Sequence, residues 1–237
     1  SHSSGMRNLH FVVIMAALMF LAKTSNGWIH KSFLKFSSQT YSQKMMHSSL
    51  LADFPVKRIN LPVKDLTLVF CRRLCENTSE PQILLGLKKF GFGEGKWNGF
   101  GGKVEEGETI ESAAARELLE ESGLQAEELE QRGHLAFHVD TYPAVMSVHV
   151  YEATRFKGQP KETEEMIPKW FDEDKLPLQK MWADDTYWMP LFLGGKYFAG
   201  EFLFSDESTI IEHRLVTVER RQCSDLFTEA SDRLSKF

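Results

Sequence analysis

Three glutamates, Glu117, Glu120 and Glu121, are spaced so that a helix would bring their carboxylates together. Side chains three and four positions apart share one face of an α-helix, although like charges there repel each other. Clusters of carboxylate oxygens bind Mg²⁺ or Mn²⁺, and these ions also bind phosphates. Arg116 precedes the cluster, and its planar guanidinium can hold a carboxylate in a fixed orientation. The spacing therefore predicts a metal site for a phosphate-containing substrate, whereas the glutamates alone would also fit an acidic, solvent-exposed helix.

The segment around these glutamates has the signals of one short helix. Thr109 is suited to the N-cap position, and Gly123 stands where a left-handed C-cap residue is needed. We therefore predict a helix from Ile110 to Ser122. Ser112 stands where a capping box would have a glutamate, which predicts an incomplete box. The apolar face that would pack on a sheet consists of Ala114, Ala115, Leu118 and Leu119.

The complete pattern from Gly102 to Leu124 favours the metal site. It reads Gly-x5-Glu-x7-Arg-Glu-U-x-Glu-Glu-x-Gly-U, where U is aliphatic, and resembles the Nudix box. A chance match somewhere in this chain has a probability on the order of one in ten million. The resemblance implies an α/β (α+β) Nudix fold, an α/β/α sandwich around a mixed β-sheet with a loop–helix–loop box. It implies Mg²⁺, with Mn²⁺ as a substitute, held by the Gly101 carbonyl, Glu117, Glu120 and Glu121.

Segments outside the box resemble one branch of this family, the oxidised purine nucleoside triphosphatases related to bacterial MutT. The matching stretches are residues 84–103, 146–150, 164–166 and 180–188. By this resemblance Trp182 and Phe92 would flank a purine base. The base edge would be hydrogen-bonded by Asn98, Asp184 and Asp185. The other pocket residues would be Thr67, Phe137, Met146 and Phe204.

The same resemblance places two further residues beside the phosphates. Lys88 would steer the phosphates, and Glu165 would be an additional metal ligand or base. The catalytic set would then be Glu121, Glu120, Glu117, Glu165 and Arg116, with one glutamate positioning or deprotonating the attacking water. Which glutamate acts as the base is left open by the sequence.

The chemistry of the expected base pocket suits a purine. An indole stacks on a purine whatever the pattern of its edge. Two adjacent carboxyls in a pocket raise the pKa of one of them, so that a protonated Asp184 or Asp185 could donate a hydrogen bond. The simpler alternatives are a core role for Trp182 and Phe204, a helix cap at either aspartate, and a turn at Asn98.

Some positions depart from the pattern of this branch. Leu66 stands where the family has an aromatic residue, and the connection from Arg72 to Glu80 is longer. His138 and Ser147 replace acidic residues near the expected pocket. These departures concern the preferred base and leave the reaction class unchanged.

The predicted function is hydrolysis of oxidised or modified purine nucleoside triphosphates, such as 8-oxo-dGTP and 2-oxo-dATP, to the monophosphate and pyrophosphate. Such an activity would remove damaged bases from the nucleotide pool. One alternative is a Nudix hydrolase for another diphosphate, such as ADP-ribose, a dinucleotide or an mRNA cap. A second is a nucleotide- or RNA-binding module without catalysis. The box retains every carboxylate, which disfavours the second alternative.

Charge is unevenly distributed along the 237 residues, whose formal net charge is -5. No acidic residue precedes Asp53, while five basic residues do, so the remainder carries about -10. An acidic body argues against non-specific nucleic-acid binding, and we expect a small-molecule nucleotide as the partner. We also expect a monomer. The three cysteines are too few for a disulfide framework and fit a reducing compartment.

The chain divides into four segments by composition. Residues 1–5 resemble a tag remnant, and residues 6–52 a basic, serine-rich leader. The twelve apolar residues from Phe11 to Ala22 are too few for an ordinary membrane span. A secretory signal, a mitochondrial presequence and a natural start at Met45 or Met46 remain alternatives. The Nudix domain is expected over residues 64–218 and a tail over 219–237, in the cytoplasm, with mitochondria or the nucleus as further locations.

Alternating and apolar runs predict the strands of the domain. They lie at residues 66–70, 82–87, 134–139, 146–150, 167–171, 201–204 and 209–218, and the third and fourth form a hairpin. A weaker second helix is predicted to begin near Asp184. The glycines at 91, 93 and 95 lack the spacing of a dinucleotide fingerprint or P-loop and predict a flexible loop beside the site.

Overall fold

The structure is a computed structural model that describes residues 61–220. The leader and residues 221–237 of the expected tail lie outside these residues. The strands are β1 (Val63–Leu74), β2 (Pro81–Lys88), β3 (Trp97–Asn98), β4 (Gln125–Val139), β5 (Val145–Lys157), β6 (Met166–Asp172), β7 (Tyr197–Phe204) and β8 (Ile210–Val218). The helices are α1 (Ile110–Ser122) and α2 (Asp185–Leu193), with a 3₁₀ turn at Leu178–Lys180.

The eight strands form one mixed sheet. Its order is β3-β2-β1-β5-β4-β7-β8, and β6 pairs with β2. The β1–β5 and β4–β7 pairs are parallel, and the others are antiparallel. The predicted mixed sheet and the β4–β5 hairpin are confirmed.

The two helices cover opposite faces of this sheet. Successive side chains of β1 point to opposite faces, so neighbouring residues contact different helices. Val69 and Cys71 are buried in a cluster that includes Leu118 of α1. Phe70 points to the other side and packs against Trp188 and Phe192 of α2, with ring centroids 5.8 and 5.2 Å away. Burying side chains of this size contributes about 1.5–3 kcal/mol each. The expected α/β/α sandwich is confirmed.

Helix α1 has the predicted bounds, and Gly123 at its C-cap has a φ of 75°. The prediction of an incomplete capping box is wrong. The hydroxyl of Thr109 accepts the Ser112 N–H at 3.1 Å, and the Ser112 hydroxyl accepts the Thr109 N–H at 2.9 Å. A serine at N3 thus replaces the usual glutamate. The expectation that Leu119 packs inward is also wrong, since this side chain is 49% exposed.

The segment before the box enters the sheet beside β1. β1 pairs with β2 only from Cys71 to Leu74. Nearer its start, β1 instead pairs with the segment that leads into the box, with bridges from Val69 to Phe100 and from Leu66 to Lys103. A β-carbon on Gly101 would lie 2.0 Å from the Thr67 carbonyl oxygen, so this close approach requires glycine. The insertion places the start of the box next to the centre of the sheet.

A buried carboxylate ties the end of α2 to the sheet. Glu152 on β5 binds Arg72 at 2.9 Å and Arg132 at 2.5 Å. Arg72 also donates to the Leu193 carbonyl at 3.1 Å, which satisfies an acceptor in the last turn of α2. Within the described residues, no helix is both long and apolar enough to cross a membrane.

Candidate active site

Arg116 organises the carboxylates at the start of the box. Its guanidinium donates to both oxygens of Glu108, at 2.7 and 2.9 Å, and to Glu117 at 2.8 Å. It also reaches Glu120 at 3.2 Å. The hydrogen bonds from Arg116 lower the pKa of Glu108 to about 2. Arg116 therefore holds the loop and the helix in one arrangement, as a planar, multi-donor group can.

Glu121 is the most buried carboxylate of the cluster, 5% exposed. One oxygen accepts the Gly101 N–H at 2.9 Å, and the other lies 3.1 Å from the Lys88 ammonium. Lys88 also binds Glu165 at 2.5 Å. Burial raises the pKa of Glu121, against the opposing effects of the Gly101 N–H and the Lys88 charge. The structure thus brings the predicted Lys88 and Glu165 together with the box.

The donor set has the chemistry of a hard-cation site. All candidate ligands are oxygens, and a β-carbon on Gly102 would lie 2.5 Å from Oε1 of Glu117, so glycine leaves room for that carboxylate against the loop. Burial raises the pKa of Glu117, which a bound cation would counteract. Among residues 61–220, no group of three His, Cys, Asp or Glu side chains is already arranged around a common point. The carboxylates contact Arg116 and Lys88 instead.

A cavity of about 200 Å³ lies beside this cluster. The cavity is lined by all ten residues that we predict to bind the substrate: Thr67, Lys88, Phe92, Asn98, Phe137, Met146, Trp182, Asp184, Asp185 and Phe204. Gly101 also lines it. One continuous cavity therefore joins the expected base pocket to the edge of the carboxylate cluster.

Trp182 forms one wall of the cavity and is contacted by the glycine-containing loop. Phe92 stacks on its indole with ring centroids 4.8 Å apart and an angle of 27°. Phe92 itself is 59% exposed and lies at the mouth. Gly93 has a φ of 84°, and a β-carbon there would lie 2.9 Å from Cζ2 of Trp182. The loop is thus fitted closely to the indole.

The two aspartates line the same cavity and are almost inaccessible to solvent. Asp185 accepts the Trp182 N–H at 2.9 Å, and Asp184 accepts the Nε1–H of Trp188 at 2.9 Å. Asp184 occupies the N-cap position of α2 but makes no capping hydrogen bond with its side chain. Burial raises the pKa of Asp184 to about 6, and burial together with the Asp184 charge raises that of Asp185 well above its usual range. This pair can hold a proton at neutral pH.

Asn98 and Phe204 have both a structural role and a place in the cavity. Asn98 makes the expected turn contact, because its side-chain oxygen accepts the Gly99 N–H at 2.8 Å, and it lines the cavity as well. Phe204 belongs to the core cluster and also lines the cavity. The hydroxyl oxygen of Thr67 is buried without a hydrogen-bond partner in the described part of the chain. A substrate polar group could satisfy it.

Sequence reasoning overlooked two residues that shape the site. Glu108 belongs to the box pattern and binds Arg116 through both oxygens, so its position in the motif was the available signal. Trp188 lies four residues after Asp184, and this helical spacing brings its indole N–H to the carboxylate. The other lining residues that were not predicted include Leu68, Val139, Val148, Met166 and Glu207.

These elements agree with comparisons to known proteins. The NUDIX domain family profile matches residues 69–192, more than half of the chain. The chain therefore belongs to the Nudix family. Hydrolases of this family generally use divalent metal ions.

Two animal relatives match over most of their length. The oxidized purine nucleoside triphosphate hydrolase of Mus musculus is 52% identical over 141 residues, which are 59% of this chain and 90% of the relative. The protein of the same name from Danio rerio is 53% identical over 138 residues, 58% of this chain and 88% of the relative. A crystal structure of the MutT protein from Bacillus halodurans has a TM-score of 0.53 and 22% identity, and covers 64% of this chain and 97% of that chain. This last likeness supports the fold.

Proposed function

We propose that this protein hydrolyses oxidised purine nucleoside triphosphates to the monophosphate and pyrophosphate. The observation that carries the proposal is the continuous cavity in which Trp182 and the two buried aspartates share one space with Lys88 and Gly101. A single nucleotide could place its base against the indole and its phosphates beside the box. The names of the mouse and zebrafish relatives support the same substrate class.

The base would be read by stacking and by the protonation of the carboxyl pair. The indole of Trp182 provides a flat surface for any purine. The edge of an oxidised purine differs from that of the parent base in its hydrogen-bond donors and acceptors. A pair such as Asp184 and Asp185 with one proton offers both a donor and acceptors, which suits such an edge.

Water would attack the α–β phosphoric anhydride, and a pyrophosphate oxygen would leave with the electron pair of the broken bond. The water proton would pass to a glutamate of the cluster. Glu121 is suited to receive it, because its buried carboxylate lies next to Gly101 at the edge of the cavity and is oriented by the Gly101 N–H. Lys88 would compensate phosphate charge, and Arg116 would keep Glu108 and Glu117 in place.

We propose Mg²⁺ as the natural ion, with Mn²⁺ as a substitute. Glu117, Glu120, Glu121, Glu165 and the Gly101 carbonyl would hold it. When bound, a divalent ion would neutralise phosphate charge and favour ionisation of the attacking water. The oxygen-only donor set supports a hard cation over a thiolate-binding metal.

The experiment is a substrate panel with Mg²⁺ in which the released phosphate species is identified. The panel contains 8-oxo-dGTP, 2-oxo-dATP, N6- and O6-methylated purine triphosphates, dGTP and ADP-ribose. We expect pyrophosphate and the monophosphate from the modified purine triphosphates, and no turnover in the presence of EDTA. Activity confined to ADP-ribose would reject the proposal and favour the other diphosphate class.

A further inference from the structure

Lys96 lies at the end of the glycine-containing loop, beside the base pocket. Its ammonium is 5.0 Å from the centroid of the Trp182 ring. The Lys96 N–H donates to the Gly93 carbonyl at 3.0 Å, and its carbonyl accepts the Lys88 N–H at 3.0 Å. Both bonds fix the Lys96 backbone at the end of the loop, and from there its side chain reaches the indole.

A positive charge nearby would favour the ionisation of one acid of the buried Asp184–Asp185 pair. Asp184 is 5% exposed and Asp185 is 1% exposed. Two adjacent carboxyls removed from water cannot both ionise at low cost. Their hydrogen-bond donors are the Trp188 indole N–H and the Trp182 amide, and both donors are neutral. Among residues 61–220, the pair therefore has no charged hydrogen-bond partner.

Lys96 supplies a positive charge that acts on both acids. Its positive charge lowers the pKa of Asp184 and of Asp185, against the larger effect of burial. Lys88 and Glu207, which line the cavity, do not supply this charge. Lys88 pairs with Glu121 and Glu165, and Glu207 is exposed in the loop after β7.

We propose that Lys96 is a positioning residue of the base pocket, which fixes the Trp182 ring and supplies the charge that balances one ionised carboxyl of the Asp184–Asp185 pair. The pair then carries one proton and one negative charge, with the cation of Lys96 making the group neutral as a whole. A pocket in this state offers a purine edge one donor and several acceptors. The inference rests on the proposed function for the identity of the base. For the positioning role it rests on the contact of Lys96 with the Trp182 ring and on the hydrogen bond from Trp182 to Asp185, and the direction in which the Lys96 charge moves the pKa of both acids supports the charge balance.

The charge balance is tested directly in the free protein by ¹³C NMR titration of the aspartate carboxyls. Lys96→Met removes the cation, Lys96→Arg keeps it, and Lys180→Met removes an exposed lysine nearby in the chain. We expect Lys96→Met to move the titration of the pair to higher pH by roughly half a unit or more. Lys96→Arg and Lys180→Met should titrate like the wild type. An unchanged titration in Lys96→Met would overturn the proposal, and Lys96→Gln repeats the test should the Met variant misfold.

The consequence for recognition is measured as KM against pH for 8-oxo-dGTP. In Lys96→Met, KM should rise at neutral pH, the inflection should move upward, and kcat should be largely preserved, while Lys96→Arg restores the wild-type profile. If the role of Lys96 were purely structural, Lys96→Met and Lys96→Arg would both be less stable than the wild type. The pH at which KM inflects would then be unchanged. A wild-type protein that does not hydrolyse 8-oxo-dGTP would reject the proposed function, and the NMR titration would still decide the role of Lys96.

Discussion

The carboxylate of Asp185 accepts the backbone N–H of Trp182 at 2.9 Å, so one residue of the acid pair holds the residue that forms the aromatic wall. The two groups expected to read a purine are therefore mechanically joined. Asp184 extends the connection to α2 through Trp188. A displacement of the Trp182 backbone would disturb Asp185, and the reverse also holds.

Replacement of Glu121 by glutamine should separate catalysis from binding. The amide oxygen can still accept the Gly101 N–H, but the side chain cannot take a proton. We expect kcat to fall by roughly 10²–10⁴-fold, with nucleotide affinity largely retained. Pyrophosphate release and equilibrium binding measure the two quantities. Glu106→Gln, an exposed position in the box loop outside its fixed pattern, is the control, and substantial turnover by Glu121→Gln would exclude the role given to Glu121.

Removal of the Trp182 indole should weaken substrate affinity. Stacking of a base on an aromatic side chain contributes roughly 1–3 kcal/mol, so Trp182→Ala should raise KM by about 5- to 150-fold with a smaller change in kcat. Trp170 is partly buried and packs against the core cluster on the opposite face of the sheet, and Trp170→Ala controls for the loss of an indole. An unaltered KM would place Trp182 among the structural aromatics.

Two glycines of the loop provide a matched pair of variants. Gly91 and Gly93 both have positive φ, 79° and 84°, so alanine at either should cost about 1–2 kcal/mol of stability. A β-carbon at Gly93 would collide with Trp182, whereas at Gly91 no atom lies within 4 Å. Only Gly93→Ala should therefore raise KM for the nucleotide. Urea denaturation measures the stability of the two variants, and steady-state kinetics measures their KM. Equal KM values would contradict the effect that we expect from the Gly93–Trp182 contact.

Glu201 should make stability depend on pH. Its Oε2 is buried without a hydrogen-bond partner in the region that the structure covers, and burial raises the pKa of Glu201 from 4.5 to about 7. Because the folded protein keeps the proton longer than the unfolded chain, stability falls as pH rises from about 4.5 to about 7.

Glu201→Gln should remove this dependence. Relative to the wild type, the variant should be nearly neutral below pH 4.5 and more stable above pH 7, by up to about 3 kcal/mol. Urea denaturation at both ends of the range gives the difference, with Glu76→Gln in the exposed β1–β2 turn as control. The same stability difference at both pH values would refute the prediction.

Local signals explain which parts of the fold were predictable. Helix α1 begins and ends as expected because Thr109 and Gly123 mark its two caps within the sequence. β4 is longer than predicted, beginning at Gln125 instead of His134, because register shifts in its first half interrupt the alternation of faces. The two-residue strand β3 was not predicted, because its pairing is supplied by β2.

In the candidate site, contacts between residues close in sequence were predictable, and contacts between distant residues were not. The box glutamates are close in sequence, and the helical period alone brings them together. The position of Lys96 over Trp182 joins residues 86 positions apart, and only the folded sheet brings them into contact. The hydrogen bond from Trp188 to Asp184 joins residues four positions apart, so helical spacing alone could have predicted it.

The central claim is preference for an oxidised purine over its normal parent. A competition assay with equal concentrations of 8-oxo-dGTP and dGTP, in the presence of Mg²⁺, reports the ratio of their kcat/KM values directly. Chromatography follows the loss of both triphosphates and the appearance of both monophosphates. We predict that 8-oxo-dGTP is consumed first, with a ratio of roughly tenfold or more, which corresponds to about 1.4 kcal/mol of discrimination. Parallel consumption of the two nucleotides would contradict the claim.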